Sequence, residues 1–176
     1  MSGDEDIAAL LPWSGPMRLV GDVLEHDGER TLCAIDPRRS QLFMSPDGSL
    51  PAWLALEYMA QCAGVHGALL RRASARAARL PGEALLLGTR RLTLHVDRFD
   101  AGRRLIARAQ DQRTSRDLVS VDCAILQDEG GAPLVEARIA IHVPGIERGA
   151  FAAGTPRTED EGAGARGRSG AEEPTA

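Results

Sequence analysis

In LEYMAQCAG, residues 56–64, one carboxylate stands in an uncharged run: between Leu50 and Leu70 the sole formal charge is Glu57. Carboxylates are seldom buried without a partner or a role. An apolar setting raises a carboxyl pKa, so the group can keep its proton near neutrality and donate it in a reaction. The plainer reading of Glu57 is a core carboxylate hydrogen-bonded to backbone. Gln61, one helical turn on, could contact a substrate or hydrogen-bond to a neighbouring strand.

A proton-transfer partner for Glu57 would be sought among the four histidines. His66 follows Glu57 by nine residues, about 180° around a helix and roughly 13 Å along it. That excludes a dyad within one helix and points to a packing histidine. His26 borders the Asp27-Gly28 turn and is expected in solvent. His142 falls on the polar face of the last strand. His95 shares a strand face with Arg91 and Thr93, and could reach a site only across a dimer. Gly-rich phosphate loops, metal-ligand spacings and serine nucleophile elbows are absent from the sequence, so no cofactor or metal is implied.

The elements that must position these residues follow from periodicity. Residues 17–25 and 30–36 read as a hairpin across Asp27-Gly28. Pro51 suits the first turn of a helix, with Ser49 or Asp47 as a cap, and the helix runs from 50 to 75. A linker, 76–83, precedes four more strands: 84–96, 103–112, 117–126 and 133–143. In these, Leu92, Leu94 and Val96; Leu105, Ala107 and Ala109; Val119, Val121, Cys123 and Ile125; and Val135, Ala137, Ile139, Ile141 and Val143 fall on inward faces. The helix is apolar nearly all round until Arg71, so it must be covered on most sides. Wrapping a curved antiparallel sheet around it is the economical solution. Ala60, Ala63, Gly64, Gly67 and Ala68 would let strands approach closely. Trp53 and Tyr58 would fill core or interface. Such a sheet leaves open edges, which favours pairing into a dimer.

Composition narrows the class. The chain has 176 residues, 43% of them apolar, with a net charge of −4 and a pI near 5.6. That is enough for one domain with a core, and it argues against a nucleic-acid binder. Cys33, Cys62 and Cys123 are widely spaced in apolar runs and read as reduced core residues, which suits the cytoplasm. The run 50–70 is long enough to test as a membrane span, but Pro51, Glu57, Gln61 and His66 are costly in lipid. The acidic start MSGDEDIAAL lacks the basic region of a signal peptide. The domain is placed at 1–148. From 149 to 176 the composition cannot support a core, and a disordered tail is expected.

The segment LPAWLALEYMAQCAG resembles the central-helix motif of hotdog-fold 3-hydroxyacyl-[acyl-carrier-protein] dehydratases, whose helix begins PGVLIIEAMAQ. Pro51 and Glu57 keep that spacing, and Met59-Ala60-Gln61 repeats MAQ. Together with LP at residues 11–12, DGSLPAWLALEYMAQ and LLLGTRRLTLHV, it is similar to the dehydratase-like subfamily of aryl polyene and xanthomonadin-type pigment clusters. The likeness covers roughly residues 8–145. It implies an α+β hotdog fold, a curved antiparallel sheet around one long helix. It implies an acyl carrier protein, with its phosphopantetheine-linked acyl chain, as partner, and a homodimer or hotdog heterodimer. Glu57 would be the catalytic acid that protonates the departing hydroxyl while a histidine takes the α-proton. The Ala52 amide would polarise the thioester carbonyl, and Trp13, Gln61 and Gly88 would line the substrate site. Arg90-Arg91 could attract the carrier's acidic surface or its phosphopantetheine, or simply edge a solvated strand.

One feature of the family pattern is missing. The loop SQLFMSPDGS before the helix has no histidine, and where pigment-cluster relatives read LPH this chain reads LPW. Trp13 cannot replace a base, because indole nitrogen only donates. Three functions follow from the resemblance: a dehydratase weakened by that change, a hotdog thioesterase using Glu57 without histidine, or a silent subunit that binds acyl carrier protein or pairs with an active partner.

Overall fold

The computed structural model describes residues 7–73 and 84–144. The linker 76–83 and the tail from 149 lie outside them. The strands are β1 (Val20–His26), β2 (Arg30–Ile35), β3 (Ser49–Pro51), β4 (Leu85–Leu94), β5 (Arg98–Asp100), β6 (Leu105–Ser115), β7 (Leu118–Leu126) and β8 (Pro133–His142), with helix α1 at Ala55–Ala73. Six strands form one antiparallel sheet in the order β1-β2-β6-β7-β8-β4, and β3 pairs with β5 apart from it. This is the expected hotdog arrangement, one long helix held in the hollow of a curved sheet.

Alternation fixes which face meets the helix. Ala107 and Ala109 of β6, Val121 and Ile125 of β7, and Val135 and Ile139 of β8 are buried in one cluster with Tyr58, Met59, Cys62 and Val65 of α1. Fully burying such side chains contributes about 1.5–3 kcal/mol each for the larger ones. The three cysteines are free and buried within this layer. Cys62 Sγ lies 3.4 Å from the Ala107 carbonyl oxygen, so helix and sheet meet closely there.

Three details correct the sequence reading. The helix does not begin at Leu50: Leu50 pairs with Phe99 and Pro51 with Arg98, and residues 52–54 make a 3-10 turn before Ala55. Neither Ser49 nor Asp47 caps α1; Asp47 instead accepts from the Ser49 amide and hydroxyl. Leu94 is 44% exposed rather than core: it pairs with the inward-facing Val135 as expected, but β4 is the outer strand of the sheet and is left open there.

The helix is not sealed all round. Trp53, just before it, is 57% exposed, and Leu56, Glu57, Gly64 and Gly67 are only partly covered on the same side. A Cβ on Gly64 would come 3.2 Å from Leu11 Cδ2 and 3.6 Å from Trp13 Cζ3. Gly64 thus admits the N-terminal lead, not a strand. A Cβ on Gly67 would meet nothing within 4 Å.

Candidate active site

Glu57 sits in the first turn of α1, and its side chain is half-buried, not enclosed. The full burial expected from its apolar neighbours in sequence fails because Ala55 and Tyr58 turn to the covered side of the helix while Glu57 stays, with Leu56, on the partly covered one. Gln61, four residues on and so on the same face, donates from Nε2 to Glu57 Oε1 at 2.8 Å. Its second amide hydrogen goes to the Met17 carbonyl at 2.7 Å. Its Oε1 accepts from the Leu19 and Val20 amides at 2.9 and 3.2 Å. Two donors and two acceptor positions are then all in use, and the residue is fully buried. Gln61 therefore has no capacity left for a substrate. It fixes the segment entering β1 to α1 and holds one oxygen of Glu57, leaving Oε2 for a proton or a ligand.

Ala52 also departs from expectation. Its amide donates to the Asp97 carbonyl at 3.0 Å, so it is already engaged and is not free to polarise a thioester. The next amides, of Trp53 and Leu54, are those a helix start leaves without an intrahelical acceptor. Trp13 rests on Gly64, seven residues beyond Glu57 and so about 10 Å along the helix. It lies over the same face of α1, two helical turns on from the position of the carboxylate. Gly88 lies in β4 at a register shift, with φ +127, where only glycine is at ease. No described contact within the chain joins it to Glu57.

The histidines are committed elsewhere. His66 is buried, with Nδ1 2.8 Å from Thr31 Oγ1. His26, expected in solvent, is part-buried and places its own Nδ1 2.8 Å from the same hydroxyl. The two rings meet edge-on at 5.9 Å. Since a hydroxyl has one proton, one imidazole gives its N–H to Thr31 while the other accepts from it. Burial, aided by His26, lowers the His66 pKa to about 4. His95 pairs with Glu136 at 3.1 Å. His142 closes β8 at the strand's exit. Beneath the helix start, the Tyr58 hydroxyl bonds Ser40 Oγ at 2.7 Å, and burial pushes its pKa up to about 12.

A family model for ApeP-like dehydratases matches residues 5–152. The chain belongs to the ApeP-like dehydratase family. Among solved structures it is similar to the dehydratase heterocomplex ApeI:P from Xenorhabdus doucetiae, at 27% identity and a TM-score of 0.68, over 78% of this chain and 90% of that one. It is also similar to S. sahachiroi AziG (14% identity, TM-score 0.52, 73% and 92% covered). The zebra fish thioesterase superfamily member 2 is a third (14%, 0.55, 78% and 92%). At such identities these two speak for the hotdog fold alone. No curated protein matches the chain.

The Gln61 clamp was foreseeable in part, from Glu and Gln at i and i+4. Its anchors Met17, Leu19 and Val20 lie more than forty residues away in the chain and carry no sequence signal, since backbone groups do the bonding.

Proposed function

We propose that this ApeP-like chain is one half of a hotdog dehydratase acting on 3-hydroxyacyl thioesters borne by an acyl carrier protein, with Glu57 as the acid and a hotdog partner supplying the base. The observation that carries this is Glu57 itself. It is held by Gln61, partly open to solvent, and without any histidine of its own chain beside it. In the reaction the partner's base removes the α-proton, the electron pair forms the C=C bond, the C–O bond breaks, and Glu57 gives its proton to the leaving hydroxyl, releasing water. The helix-start amides of Trp53 and Leu54 take the carbonyl role that Ala52 cannot.

The surface supports an incomplete unit. Strand β4 is an outer strand of the sheet, and Leu85 and Leu87 on it are 63% and 60% exposed. An apolar strand edge of this kind is a pairing surface. Pairing there would bring Gly88, and the partner's residues, to the junction of two subunits. The heterocomplex structure of the similar ApeI:P pair favours a hotdog heterodimer over a homodimer. Among the described residues no helix is long and apolar enough to cross a membrane. Buried free thiols suit a reducing compartment such as the cytoplasm, where aryl polyene, xanthomonadin-type or fatty-acid assembly would take place.

The test is mass spectrometry of a 3-hydroxyacyl-carrier protein incubated with the chain alone and with its hotdog partner. Loss of one water only in the presence of the partner is the expected result. Free acid would make the protein a thioesterase, and an unchanged substrate with the complete pair would make it a silent binding subunit.

A further inference from the structure

The sheet has a second face, turned away from α1, and a sizeable groove lies on it. Ala107, Ala109, Val121 and Ile139 point to the helix side, so the residues between them, Arg108, Gln110, Ser120, Asp122 and Arg138, stand on the outer side. With Arg90, Arg91 and Thr93 of β4 and Glu136 of β8 they wall a groove of about 720 Å³. The size falls in the range of small-molecule sites, about 300–1,000 Å³.

Charge in the groove is unbalanced. Four arginines face two carboxylates, an excess of two positive charges. Asp122 is taken up by Arg138 in a two-pronged pair, and that guanidinium holds its pKa below the usual carboxylate range. Glu136 is bonded by His95. Arg90, Arg91 and Arg108 have no carboxylate partner among the described residues, and Arg108 Nε is buried with no hydrogen-bond partner at all. A buried donor left unmade is costly, about 1–3 kcal/mol. Guanidinium groups match phosphate oxygens with paired N–H bonds. A phosphoryl group has oxygens enough for several of them, whereas one carboxylate satisfies about one.

We propose that this outer-sheet groove, lined by Arg90, Arg91, Arg108 and Arg138, is a binding site for a phosphorylated small molecule, separate from Glu57 and on the opposite side of the sheet. The phosphoryl group sits against Arg108 and the two β4 arginines. The Thr93 and Ser120 hydroxyls are available to the rest of the ligand. A bare phosphate would leave most of the volume unfilled, so a phosphate ester is the better occupant. The inference stands independently of the dehydratase reading, since no group of the groove belongs to the Glu57 site.

Calorimetric titration of the full chain at constant ionic strength tests it, with inorganic pyrophosphate, ADP and adenosine as probes. Saturable binding of ADP and pyrophosphate, but not adenosine, is expected, with ADP the tighter if an ester fills the groove. Arg108→Gln should weaken both about tenfold or more, while Glu57→Gln leaves them unchanged. Arg108 is three strands removed from the β4 edge, so its effect is separable from subunit pairing. If that variant does not fold, the exposed Arg91→Gln takes its place, with a several-fold loss expected. Absence of saturable binding at millimolar probe, or equal binding by folded arginine variants, overturns the proposal.

Discussion

Two polar clusters of helix α1 differ in that water reaches only one of them. On the open side Glu57 is half-buried and held by a single amide hydrogen bond from Gln61. On the opposite side His66 is 1% exposed, locked to Thr31 and through it to His26. Each begins as one polar residue in an apolar run. The sealed cluster has its described partners within its own chain and behaves as structure. The open one keeps an oxygen unspent and lies beside exposed apolar surface, which is what a site completed by another subunit looks like.

The comparison predicts opposite outcomes for substitution. With the hotdog partner present, Glu57→Gln should lower dehydration by about 10²–10⁴-fold, the usual worth of a general acid. Its melting temperature should stay within a few degrees, because the carboxylate makes one part-buried hydrogen bond. Rates on a 3-hydroxyacyl-carrier protein and a thermal melt of the same sample check both halves. A large loss of stability with unchanged rate would show that Glu57 is structural.

Gln61 joins the two behaviours, for it is buried like His66 yet bonded to Glu57. Gln61→Leu keeps similar bulk but leaves the Met17 carbonyl and the Leu19 and Val20 amides unpaired. The expected cost is roughly 2–4 kcal/mol in urea unfolding, together with a fall in rate because Glu57 loses its orientation. A stable variant with full activity would remove Gln61 from the account.

The sealed cluster should announce itself through pH. Unfolded His66 titrates near its ordinary 6.5, and folded His66 at about 4. Between those values the unfolded chain binds more protons, so stability rises with pH and falls on acidification from about 6.5 towards 4. At pH near 4.5 the loss amounts to something on the order of 2 kcal/mol. His26 and Asp27 are the charged neighbours that modulate it. The difference between wild type and His66→Leu, read from urea melts at neutral and acid pH, isolates this contribution; an equal slope in both proteins would refute it.

Much of the fold was legible because strand alternation and the helix motif are local. Val119, Val121, Cys123 and Ile125 read inward, and all are buried. What was not legible depends on partners distant in sequence. The short β3–β5 pairing took the first helical residues away, and Asp97 claimed the Ala52 amide. Periodicity gave His66 its packing role, but the Thr31 bridge that drew in His26 has no local signature. Glu57 is less buried than its apolar run implies, since such a run says how hydrophobic a helix is without saying which side a single chain covers.

The smallest effect is also the one that best separates a lone chain from an assembled one. Gly67 lies in the interior of α1 on its open side, and a Cβ there meets nothing within 4 Å. Glycine inside a helix is less favourable than alanine by about 0.5–1 kcal/mol. In the isolated chain Gly67→Ala should therefore be stabilising and raise the melting temperature by about 2–4 °C. A partner that packs against this side of the helix would find the added methyl in its way. In that case the variant should bind the hotdog partner several-fold more weakly while melting higher by itself. Sedimentation of the pair beside melts of the single chain reads both quantities. Higher stability with unchanged association would place the partner contact at the β4 edge alone and leave the open side of α1 around Gly67 to solvent or acyl chain.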